Sequence, residues 1–167
     1  MVTEKFKSLD EVLSYRNEDV IYALLDKFDI TYEESEDLIK ECYKWLWLCA
    51  KAQNEGFGML HINTDLRMLD QAWHTFVLFT KEYDQFCNNY FGKFIHHKPT
   101  THVEKIRYVE LLNEEKFRND AKAKVEKFHE YVLDNLGKDT LYKWFIEYPK
   151  KYPTERINGL VKQMYSR

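Results

Sequence analysis

Asp70 and His74 stand four residues apart in the run MLDQAWHTFVLFTKEYDQFCNNYFGKFIHHKP, residues 68–99, and His96 and His97 follow near its end. On a helix this spacing places the carboxylate and the imidazole on one face, a turn apart. Three chemistries are open to such a pair. Both side chains can ligate a metal, with His96 or His97 completing a nitrogen and oxygen set suited to Zn, Fe or Mn. The carboxylate can instead orient the imidazole, behind a metal or as a hydrogen-bonded pair that fixes helix packing. Or the two can act as acid and base in a ligand pocket without metal, since histidine titrates near neutrality. His61, just ahead of the helix, is a further candidate ligand. Adjacent histidines on regular backbone point in different directions, so only one of His96 and His97 is expected to join a common set.

The elements that must position these residues are helical. Asn63 or Thr64 can cap a helix to about Phe79, with Leu66, Leu69, Ala72, Trp73 and Phe76 as its apolar stripe. Thr80 reads as the cap of a second helix that carries Tyr83, Phe86, Cys87, Tyr90 and Phe91 and stops at Gly92. Two antiparallel helices joined near Thr80 return the histidine loop, 94–100, toward the start of the first helix, so that it approaches Asp70. Upstream, Ser8 and Asn17 cap two short helices, and Thr31 with Glu34 forms a capping box for a long one with Leu38, Ile39, Cys42, Trp45, Leu46 and Cys49. Trp47, Leu48 and Ala50 broaden that helix's apolar face, as neighbours on several sides would require. Downstream, Thr101 starts a helix. Another follows with the stripe Phe117, Ala121, Val125, Phe128, Val132 and Leu136 before Gly137. Asp139 and Thr154 are read as caps of two short final helices.

No period-2 strand pattern and no internal repeat accompanies these stripes, and five Gly and three Pro in 167 residues leave little turn chemistry. The expectation is an all-α, irregular bundle of about seven helices in a single domain, 1–167. Within it, 8–56 holds the N-terminal helices, 64–100 the Asp-Trp-His hairpin and His loop, and 101–167 the C-terminal helices. A net charge of −3 offers no global attraction to phosphate, which argues against nucleic acid as a partner. No leader pattern and no apolar run of membrane-spanning length is read, and Cys42, Cys49 and Cys87 look like reduced core residues. A soluble, cytoplasmic protein is expected. The four tryptophans read as core, His129 as solvated, and the basic C-terminal residues Lys143, Lys150, Lys151, Arg156, Lys162 and Arg167 as a solvated face or a surface for an acidic partner.

The segment LDQAWHTFVLFTKEYDQFCNNYFGKFIHH resembles the D-x-x-W-H-T core of the glycine-rich domain-containing protein-like family, through Asp70, Trp73, His74, Thr75, Tyr83, Phe91 and Gly92. The run LGKDTLYKWFIEYPKKYP from Leu136 is similar to the C-terminal part of its small bacterial members, and the glycine-rich tail of the larger plant members has no counterpart here. The resemblance implies a helical domain bearing the Asp-Trp-His motif; it implies no reaction. Two functions are therefore carried forward. One is a metal or small-ligand site formed by Asp70, His74 and the His96/His97 loop, with His61 in reserve. The other is a noncatalytic module for a protein partner, in which the motif is architectural.

Overall fold

The computed structural model of the chain describes residues 6–162. Its elements run α1 (Leu9–Leu13), α2 (Glu18–Lys27), α3 (Tyr32–Asn54), a 3-10 turn (Thr64–Leu66), α4 (Arg67–Leu78), α5 (Thr80–Phe91), α6 (His102–Leu111), α7 (Glu115–Tyr142), a π-helical turn (Lys143–Glu147), α8 (Tyr148–Lys151) and α9 (Thr154–Leu160). The fold is all-α. Among the described residues the extended pairing amounts to one isolated bridge, Phe28 with Val161. No helix of these residues is long and apolar enough to cross a membrane.

Contacts gather the described residues into two compact units, 6–95 with 142–162, and 96–141. This grouping cuts across the order of the sequence, because the last helices belong with the first ones and not with α7. The core of the first unit is α3. Every residue from Trp45 to Ala50 on it is buried, as expected for a helix with neighbours on several sides, and α1, α2 and α4 pack against it. Ser8, Thr31 and Thr101 close complete capping boxes, and Asn17 caps α2 through the Val20 amide. Cys42, Cys49 and Cys87 are buried thiols, with their pKa values raised by burial.

Several local expectations are corrected. Thr80 is the first residue of α5 and not its cap; the cap position is Phe79, with no side-chain hydrogen bond. Thr154 likewise begins α9 after Pro153. The long helix breaks at Gly137 as expected, because that residue is non-helical, and a second helical segment continues from it to Tyr142 within the range given for α7. Its expected stripe is only partly covered: Val132 is buried, whereas Val125 is exposed. His129 is half-buried rather than solvated. The basic C-terminal residues are largely used internally. Lys151 pairs with Glu34 at 2.8 Å, Arg156 donates to the Lys151 carbonyl, and Lys162 donates to the Leu25 carbonyl. Arg167 lies outside the described residues.

Gly137 adopts φ 82° and ψ 170°, a conformation essentially reserved for glycine. No atom lies within 4 Å of where a Cβ would sit, so the constraint is backbone alone. Gly137→Ala is expected to destabilise the chain by about 1–3 kcal/mol in urea unfolding. A neutral or stabilising effect would show that the kink is not maintained in solution.

Candidate metal centre

α4 is held by its apolar side, which leaves its polar side for chemistry. Leu69, Ala72, Trp73 and Phe76 are buried. The Trp73 indole donates to the Tyr83 hydroxyl at 3.0 Å, and that hydroxyl donates to the Ile95 carbonyl at 2.6 Å. Burial raises the Tyr83 pKa, which keeps the phenol protonated and able to donate. The relay ties α4, α5 and Ile95 together, and His97 follows Ile95 by two residues. The Asp-Trp-His motif thus divides by function: Trp73 is part of the core, while Asp70 and His74 lie at the border of the apolar stripe.

Asp70 Oδ2 lies 3.7 Å from His74 Nδ1, beyond hydrogen-bond range. The separation is that of an ion-pair contact. It is close to the spacing of about 3.4 Å between ligand atoms arranged tetrahedrally around an ion with bonds of about 2.1 Å. The side chains are 19% and 43% exposed respectively, so water reaches the pair. One ligand atom each from Asp70, His74 and His97 lies within 4.8 Å of the other two, and all three residues are half-buried. Of the five candidates, these three come together. His96 and His61 are exposed and stand outside the group. The order in the loop explains the choice: Ile95 is buried, His96 faces out, and His97 is half-buried again.

Two imidazoles and one carboxylate form a donor set of intermediate softness, suited to Zn, Fe or Mn more than to Mg or Ca. Three protein ligands leave coordination positions for water or substrate. Sequence reasoning missed a contact made by Gln71, the residue after Asp70. Lys27, the last residue of α2, donates from Nζ to Gln71 Oε1 at 2.7 Å. No local pattern marks either residue, because the contact joins positions 44 apart.

Residues 17–119 match the UCP032817-like family, and the chain belongs to it. The matched span contains every candidate ligand, Asp70, His74, His96, His97 and His61. No curated protein and no solved structure matches the chain.

Proposed function

We propose that the protein binds a divalent transition metal, Zn, Fe or Mn, through Asp70, His74 and His97. The observation that carries this reading is the convergence of the three ligand atoms within 4.8 Å on half-buried residues. A metal held this way, with open positions, would supply a Lewis acid for a bound oxygen and lower the pKa of a coordinated water. Hydrolytic and oxidative reactions are both within reach of such a site. The proposed kinship with the glycine-rich domain-containing protein-like family, and a cytoplasmic location, add no reaction to it.

Elemental analysis of protein purified without a histidine tag tests the reading. About one ion per chain is expected, as for a single three-ligand site. His74→Ala and His97→Ala are expected to lower metal affinity by more than about 100-fold, the upper end for losing a mere outer partner of a ligand. His96→Ala and His61→Ala should leave the metal content unchanged. Protein that takes up no Zn, Fe or Mn, or equal metal content in His74→Ala, would end the metal reading.

A specific observation also supports the interaction-module reading. α6 buries none of its residues, and Val103, Ile106, Tyr108 and Val109 are exposed along it. Exposed apolar residues clustered on one element are a usual mark of a protein-binding surface. Light scattering and lysate pull-downs that give only metal-free monomer would remove both readings together.

A further inference from the structure

A cavity of about 180 Å³ lies wholly within the first unit, where the segment joining α1 to α2 meets α3. Its floor is Ile21, Ile39 and Tyr43, all buried, and the exposed Ser14, Arg16 and Lys40 stand around its mouth. Tyr43 is 1% exposed, and its hydroxyl is buried with no hydrogen-bond partner among the described residues. Buried hydroxyls are nearly always paired, because leaving one unpaired costs stability. The ring is not free to turn this one elsewhere, since the Tyr15, Phe76 and Phe86 rings lie 5.5, 5.6 and 5.1 Å from it. Long side chains on a helix lean toward its N-terminus. From position 43 that lean carries the hydroxyl over the turn of Ile39 and Lys40, which is the α3 side of the cavity.

Mouth and floor together define what fits. Arg16 donates to Glu18 and Glu36 and, at 2.6 Å, to the Tyr32 hydroxyl, while Lys40 Nζ lies 3.5 Å from Glu36. Two cations thus meet two carboxylates, and the mouth has no surplus charge to offer an ion. Burial raises the Tyr43 pKa, so the phenol stays protonated and able to donate at physiological pH. One water would satisfy it, but a water takes only about 30 Å³, whereas an apolar cavity of about 150 Å³ holds a molecule the size of benzene. We infer that this cavity binds a small neutral carbonyl compound of about that size, its oxygen accepting from the Tyr43 hydroxyl and its apolar body lying against Ile21 and Ile39. The inference does not rest on the metal reading.

The test uses the full chain with isotopically labelled isoleucine methyl groups, followed by NMR. Cyclohexanone, cyclohexylamine and cyclopentanecarboxylate, similar in size and different in charge, are titrated separately. Cyclohexanone is expected to shift the Ile21 and Ile39 methyl signals with a Kd below about 10 mM, within reach of a molecule of this size. The charged probes should bind at least about tenfold more weakly, because each would bring an unpaired charge onto an apolar floor. Tyr43→Phe keeps the ring packing and removes only the donor. It should weaken cyclohexanone by about three- to tenfold, the worth of one hydrogen bond. Without any probe it should unfold at a urea concentration equal to or higher than the wild type does, since no satisfied group is lost. A less stable Tyr43→Phe shows that the hydroxyl is already paired, by water, and overturns the inference. Cyclohexanone that leaves Ile21 and Ile39 unmoved overturns it too, as does equal cyclohexanone affinity in Tyr43→Phe. Binding of either charged probe as tight as that of cyclohexanone overturns the neutral class.

Discussion

Trp73→Ala is expected to destabilise the protein by about 3–5 kcal/mol, the range for truncating a large buried side chain. Trp73 is 5% exposed, and its ring lies 6.3 Å from that of Trp45, which in turn lies 5.9 Å from that of Trp144. The alanine therefore opens a cavity at one end of a series of mutually tilted tryptophan rings. It also removes the donor to the Tyr83 hydroxyl. Trp73→Phe separates the two effects. It keeps most of the apolar volume and loses the indole hydrogen bond, for about 1–2 kcal/mol. Urea unfolding measures both, and an alanine variant within 1 kcal/mol of wild type would refute the packing described for α4. Because the same relay holds the Ile95 carbonyl, the alanine variant should also bind metal more weakly while still folded.

The fold was largely legible because its helices are announced locally. Thr31 with Glu34 and the stripe from Leu38 to Cys49 need only neighbours in sequence, and they define the central helix α3. The Asp70–His74 spacing was legible for the same reason, since residues four apart share a helix face whatever surrounds them. Which loop histidine joins them was not legible. It depends on how the segment after Gly92 leaves α5 and on the Tyr83–Ile95 hydrogen bond, and both are set by tertiary packing. Lys27 ends an ordinary amphipathic helix, and only the approach of α4 gives it Gln71 as a partner. The exposure of Val125 on α7 ran against its stripe too, because a periodic stripe signals a helix without specifying what covers it.

Glu41 was also illegible, and its removal should rank with that of Trp73. A glutamate on a helix is ordinarily solvated, yet Glu41 is 2% exposed in the middle of α3. Its Oε2 accepts from the Trp144 indole at 2.7 Å. Its Oε1 accepts from Lys143 Nζ at 3.0 Å and from Lys44 Nζ at 2.8 Å. Lys143 and Trp144 open the π-helical turn, an irregularity that follows the kinked end of α7 and that no periodicity forecasts. Asp37 accepts a second hydrogen bond from Lys143 at 2.5 Å. Glu41→Ala would leave the indole N–H buried without its acceptor and both ammonium groups without their shared carboxylate. Breaking a buried pair by deleting one partner costs about 3–5 kcal/mol. Glu41→Gln keeps an acceptor for Trp144 and loses the charge, so it should cost less than the alanine. Lys143→Met should be milder still, since Lys44 continues to neutralise Glu41. Urea unfolding of the three variants gives the order, and a Glu41→Ala protein as stable as Lys143→Met would show that Glu41 does not hold the π-helical turn against α3.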